Sequence, residues 1–501
     1  MQPKTQEMHD RLYAMLREEQ IYRYAASVLN FDQETICPPA AREKQGEIGA
    51  ALGSKAFIVT KDPAFTEAVE YLYGHRDELD SFDAAMVAAR HKQYLADKNI
   101  TPEKEHAYAL AFNKAFVSWL AAKEKADYSL FAPDLAAVRD IQIERTALRE
   151  DKCDNVFDTL IGDYERGLTQ AVLDPIFDRM KERLIPLLAR ILASKKQIRT
   201  DFMTRTVTDE QQRQIADYLL DVIGFDKTRG AITLTEHPFT HDMSRNDVRV
   251  TTHFYPQMFD SSMFSVVHEG GHALFEQFCP EENDAHFLHE KTMGMHESVS
   301  RFYENRIGRS KEFIHLIFPK CREVFPQVLS DVTEEELYEA LNVVRPTLKR
   351  TQADEFTYTF HIIIRYEIEK MILDGTADIA DLPRIWNDKY EEYLGIRPGN
   401  DAEGILQDIH WTFGFGYFPT YAIGNLYNAM YLNTMKQHLD VPALVREGKL
   451  PVIRDWMAEH VFRMADRQTP EEWIKAITGR ALTPDDYLDY LEEKYTALYE
   501  L

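Results

Sequence analysis

A chain of 501 residues with 83 acidic and 58 basic side chains carries a formal net charge of -25. That balance argues against nucleic acid and anionic membrane as partners, since both require clustered lysine and arginine. Four scattered cysteines, Cys37, Cys153, Cys279 and Cys321, form no Cys-x-x-Cys pair, which argues against a disulfide scaffold and a thiolate zinc site.

Met1 to Asp10 lacks the apolar core of a signal peptide, and no run of eighteen apolar residues follows, so a soluble cytoplasmic protein is expected. Helical periodicity dominates the first two hundred residues. Ile21, Tyr24, Ala25, Val28 and Leu29 mark one apolar face, and Ile176, Phe177, Met180, Leu184, Leu187, Leu188 and Ile191 mark another. Between them, Leu29 to Pro39 puts the polar run Asp32-Gln33-Glu34-Thr35 ahead of two prolines and predicts a helix end. From Ala231 to Pro256 β-branched residues alternate between turn residues, which predicts a small antiparallel sheet. Helices resume after Pro256, interrupted by glycines around 395–404 and 414–424.

Chemistry enters at Ser265 to Phe275, which contains His268-Glu269-Gly270-Gly271-His272. Residues i and i+4 stack on one helix face, so both imidazoles can aim at one point. Glu269 sits about 100° round the axis, within reach of a water held there. This is the His-Glu-x-x-His arrangement of zinc peptidases, where metal polarises a carbonyl and the glutamate takes a proton from water. Two adjacent mid-helix glycines cost about 1 kcal/mol each against alanine, so backbone or ligand is expected to pass close; the substrate groove is the expected neighbour.

A catalytic zinc site needs a third protein ligand and one open position. No further histidine stands at metzincin spacing, which leaves a glutamate on a later helix. Glu297, 25 residues after His272, is the leading candidate, with Glu304 and Glu276 as alternatives. For substrate, Asp247 and Arg249 within Asp247-Val248-Arg249-Val250-Thr251, and the segment Arg345 to Asp354, are candidates. A guanidinium fork pairs bidentately with a terminal carboxylate, although most single arginines serve surface ion pairs. Gly404 to Tyr421 is dense in glycine, aromatic and hydrogen-bonding groups, and can serve oxyanion stabilisation or packing.

Taken together, the segments His237-Pro238-Phe239, Asp247 to Thr251, His268 to His272, His296-Glu297-Ser298, Arg350-Thr351-Gln352-Ala353-Asp354 and Gly404 to Trp411 resemble the carboxypeptidase Taq family of metallocarboxypeptidases. The resemblance implies a mainly α, multi-helix single unit with a deep central groove, similar to neurolysin. One domain is expected over 1–501: a helical part, 1–200, covering the groove; the small antiparallel sheet, 231–256, beside the metal helix; and catalytic helices, 257–501. It implies His268, His272 and Glu297 as ligands of one Zn2+ per subunit, with Co2+ a possible substitute, and Glu269 as general base. It further implies Arg350 as carboxylate anchor, His410 and Tyr421 as oxyanion donors, peptides with a free C-terminus as substrates, and a homodimer. Arg301 stands four residues after Glu297 where related zinc enzymes carry aspartate, so the zinc histidines' hydrogen-bond partners must come from elsewhere.

The leading expectation is a carboxypeptidase of broad specificity. An endo-oligopeptidase or dipeptidase of the same zinc chemistry is the nearest alternative. A non-catalytic peptide-binding scaffold is the alternative of another class.

Overall fold

Sparse glycine and well-placed caps commit the first 225 residues to helices. The computed structural model describes all 501 residues. It places α1 (Pro3–Thr35), α2 (Arg42–Thr60), α3 (Pro63–Gly74), α4 (Ser81–Asp97), α5 (Pro102–Lys125), α6 (Ala132–Leu148), α7 (Val156–Tyr164), α8 (Gln170–Leu192) and α9 (Asp209–Ile223) in succession. Starts of α3 and α5 follow elementary rules: Asp62 and Thr101 side chains accept the Ala64 and Lys104 amides, and prolines occupy the first turn, where no amide is needed.

Two apolar cores result. The small one joins Met8, Leu12 and Leu16 of α1 to Phe65, Val69 and Leu72 of α3, Met86 and Val87 of α4, and the distant Leu288. The large one takes in residues from Ala115 to Tyr499. Thus α5 to α8 pack with the catalytic helices, and only α1 to α4 form a separate layer. The Asp32–Thr35 run stays helical and closes α1, where the Thr35 hydroxyl donates back to the Phe31 carbonyl at 2.6 Å.

Strands β1 (Gly230–Leu234), β2 (Thr240–Ser244) and β3 (Asp247–Thr252) form a sheet of order β1-β3-β2. The expectation of an antiparallel sheet is half corrected: β2 and β3 are an antiparallel hairpin, but β1 runs parallel to β3. Alternation within a strand reports which face is buried and is silent on strand order. Here the link from Thr235 to Phe239 carries the chain across to β3's far edge, so β1 and β3 share a direction.

Buried Val248 and Val250 set β3 against α10 (Phe259–Gln277), the helix of the two histidines. After α11 (Glu281–Ala285), α12 (Met293–Arg301) crosses α10 and continues as a wider π-helical turn, Phe302–Gly308. The adjacent glycines explain the crossing and correct their expected role. A Cβ on Gly271 would lie 2.7 Å from Ser300 Cα and 3.0 Å from the Val299 carbonyl, and one on Gly270 would meet Ile223 of α9 at 2.4 Å. They admit neighbouring helices, not the groove. Gly424 does the same from the helix Pro419–Met435, where an added Cβ would come within 3.0 Å of the Ser298 amide nitrogen. Backbone thus clamps α12 on two sides around Glu297.

Candidate metal centre and groove

On α10, Asp260, Phe264, His268, His272 and Glu276 recur every four residues and line one face of a groove of about 940 Å³. At 1.5 Å per residue that face runs about 24 Å, with the histidine pair past its middle. His237, Pro238, Phe239 and Thr240 form one wall, and Arg350, Tyr358, Tyr417 and Tyr421 form the other.

Glu297 Oε2 lies 3.6 Å from His268 Nε2 and 3.6 Å from His272 Nε2. Ligands about 2 Å from a tetrahedral ion lie about 3.3 Å apart, close to these separations, so the two imidazole nitrogens and one carboxylate oxygen can hold a divalent metal. Burial alone would raise the Glu297 carboxyl, yet Arg301 and the two imidazoles outweigh it and hold it well below the usual range. Its second oxygen accepts from Arg301 Nε at 2.8 Å, and Ser300 Oγ donates to Oε2 at 3.0 Å.

The other nitrogen of each histidine is also engaged, which fixes the tautomers. His268 Nδ1 donates to Glu304 Oε2 at 2.9 Å, leaving Nε2 a free lone pair. Glu304, an alternative ligand in the sequence, is instead the partner that no aspartate after Glu297 supplies. The π-helical turn returns it to Glu297's face seven residues on. His272 Nδ1 meets His296 Nδ1 at 2.6 Å, and His296 Nε2 donates to Glu276 Oε1 at 2.7 Å. Glu276, the other alternative, closes that chain against Lys291 at 3.3 Å. Loss of a carboxylate behind a metal histidine typically costs 10- to 100-fold in affinity. Glu304→Gln is expected to weaken metal binding by about that factor, measured by competition with a chromophoric chelator.

Glu269 is 8 % exposed, and its Oε2 accepts the Thr240 hydroxyl at 2.7 Å. Burial, reinforced by the negative Glu297 and Glu304, raises its pKa above the ordinary carboxylate value. A raised carboxylate pKa suits a proton acceptor working near neutrality.

Arg350 lines the groove with part of its guanidinium spoken for. Nε and Nη2 donate to Asp408 Oδ1 at 3.2 and 3.0 Å, and Nη1 donates to the Tyr358 hydroxyl at 3.1 Å. Of five N–H groups, one on each terminal nitrogen is left for a carboxylate. Asp408 also binds the fully buried Arg365 at 2.6 Å. Burial would raise the Asp408 carboxyl, but Arg365 and Arg350 hold it well below the usual range. Tyr421 stacks under Arg350, 4.8 Å from ring to guanidinium carbon, and burial raises its phenol, which therefore stays a donor.

Three sequence candidates lie elsewhere. Asp247 and Arg249 pair with each other at 2.8 and 2.9 Å; Arg249 sits 5.1 Å over the Phe31 ring, and neither lines the groove. They join the sheet to α1. His410 is also absent from the lining; it packs behind the wall, 4.5 Å from Phe418 and 5.2 Å from Tyr417.

Burial, aided by Arg350 and Arg365 against the opposing Asp408, pulls His410 down to about 4. A histidine depressed on folding contributes stability in full above its unfolded pKa of about 6.5, and loses it as pH falls toward the folded value. Between pH 7 and pH 4, wild type should lose about 3 kcal/mol more than His410→Gln in urea unfolding.

Thr240, Asp408 and Tyr358 escaped sequence reasoning as site residues, and Glu304 entered it as a ligand rather than as the partner of His268. Only Glu304 left a signal, its seven-residue spacing from Glu297.

The family model described as carboxypeptidase Taq (M32) metallopeptidase matches residues 11–495. Carboxypeptidase 1 of Bacillus subtilis (strain 168) is 36% identical over 492 residues, 98% of each chain. Thermostable carboxypeptidase 1 of Thermus thermophilus is 34% identical over 98% of this chain and 99% of that one. The solved M32 carboxypeptidase of Deinococcus radiodurans R1 superposes with a TM-score of 0.94 at 30% identity, covering 99% of this chain and 100% of that one.

Proposed function

This chain belongs to the carboxypeptidase Taq (M32) metallopeptidase family and is a metal-dependent carboxypeptidase, and from that premise we propose how its residues do the work. His268, His272 and Glu297 hold the ion, which we take to be Zn2+, with Co2+ suited to the same donors. When bound, it supplies Lewis-acid polarisation of the scissile carbonyl and acidifies a water.

Glu269 accepts that water's proton as the oxygen adds to the carbonyl carbon, and returns it to the amine nitrogen as the C–N bond breaks. The Thr240 hydroxyl on Oε2 holds the carboxylate's orientation. Tyr421 donates to the oxygen that gains charge, a contribution of a few kcal/mol where preorganised. His410 is proposed to act from behind Tyr417 and Phe418, holding the wall that presents Tyr421 rather than donating to the oxygen itself. The two free Arg350 N–H groups take the terminal carboxylate, which places the last peptide bond over Glu269. Asp247 and Arg249 are proposed to act on substrate only through the docking of α1 on the sheet.

The observation that carries the reading is the shared 3.6 Å approach of Glu297 Oε2 to both histidine nitrogens, with Glu269 buried beside them. Elemental analysis after dialysis against chelator and reconstitution tests it: one zinc per chain restoring activity is expected, and full activity without metal would overturn it. The same proposal takes residues 1–501 as one functional unit, working as a cytoplasmic homodimer with broad specificity. No helix is long and apolar enough to cross a membrane.

A further inference from the structure

Beyond Met293, which lines both spaces, the groove adjoins a second chamber of about 580 Å³. It lies in the seam between the small core and the large one. α4 supplies one wall, α6 and α7 the opposite wall, and the segment from His289 to Met293 the floor. In a strongly acidic protein the lining is cationic: Arg90, Lys92, Arg145, Arg149, Arg166 and Lys291 face three carboxylates, Asp97, Asp163 and Glu290.

Five of the six cations are matched by carboxylates. Arg149 binds Asp151 and Asp163, Arg145 approaches Asp97 and Glu105, and Arg90 approaches Glu19. Arg166 reaches Glu290, although its buried Nε has no partner, and Lys291 binds Glu276 and Asp466. Lys92 differs. Its ammonium makes one hydrogen bond, to the Gly162 carbonyl at 3.0 Å, and no ion pair. Burial lowers its pKa, with the more distant Asp163 only partly opposing. A half-buried ammonium without a counter-charge is costly unless something supplies one.

We infer that this chamber binds a small oxyanion, with Lys92 of α4 as its counter-charge. A chamber of this size takes an amino acid or an inorganic oxyanion. Given the carboxypeptidase reading on which this source rests, each turnover frees an amino acid carboxylate in the adjoining groove; inorganic phosphate offers the same chemistry.

The test is titration calorimetry on the full-length, metal-loaded protein with inorganic phosphate, leucine and leucinamide. Besides any occupancy of the groove at Arg350, one saturable Lys92-dependent site is expected for leucine or phosphate and none for leucinamide. Leucine alone identifies the released amino acid as the ligand, and phosphate alone the inorganic anion. Lys92→Met should weaken that binding at least tenfold, while kcat/KM without added anion stays at the wild-type value.

The inference is overturned if neither anion binds wild type outside the groove, or if Lys92→Met binds as wild type does. Binding is read without turnover. Absence of any such site in wild type with peptidase activity intact therefore fails this inference alone, and anion binding without peptidase activity fails the carboxypeptidase reading alone.

Discussion

Glu269→Gln is expected to lower kcat by about 10³-fold or more while metal content stays at the wild-type level. General-base catalysis by a positioned side chain contributes about 10² to 10⁴ in rate. Of the four glutamates around the two histidines, Glu269 is the one left for it: Glu297 faces both histidine nitrogens, and Glu304 and Glu276 are engaged behind the imidazoles. Glutamine keeps the shape and can accept the Thr240 hydroxyl through its amide oxygen, so the fold is undisturbed. Single-turnover kinetics with metal analysis of the same sample measures both halves. A metal-replete Glu269→Gln protein cleaving at the wild-type rate would remove the glutamate from the mechanism.

Arg350→Ala carries the second large effect. Hydrogen bonds to charged groups contribute about 1.5–3 kcal/mol, so kcat/KM on peptides with a free carboxylate should fall about 10- to 100-fold. On amidated peptides, which cannot use the interaction, the variant and wild type should be alike. Losing one member of a buried ion pair normally destabilises, but Asp408 keeps Arg365 at 2.6 Å and so retains a counter-charge. An equal loss on both peptide forms would make Arg350 a structural residue and leave the anchor unassigned.

The legible part of the site was what helix geometry encodes locally. Histidines four apart and a glutamate beside the first need no tertiary information, and His268, Glu269 and His272 line the groove together. Glu297 was legible only as a distance along the chain; its approach to both histidines depends on Gly271 and Gly424 letting two backbones close on α12. Nothing local distinguishes a glycine kept for a neighbouring helix from one kept for a ligand, so the sequence alone does not assign their purpose.

Pairing across the fold was the least legible. Asp247 and Arg249 are neighbours on one face of β3, so their mutual ion pair was available from the two-residue spacing, yet as isolated polar residues they suggest substrate contacts. Direction of β1 depends on which edge of β3 it joins, a non-local choice. His410 stands in a segment dense in groove residues, but aromatic packing against Phe418 decides where its ring goes.

The central claim is that this groove trims peptides from a free C-terminus with metal, Glu269 and Arg350 acting together. Mass spectrometry of one peptide, digested in its free-acid and amidated forms with and without chelator, tests it most directly. A ladder of C-terminal truncations from the free acid alone is expected, abolished by chelator and restored by zinc. Internal fragments from both forms, or a ladder indifferent to chelator, would contradict it.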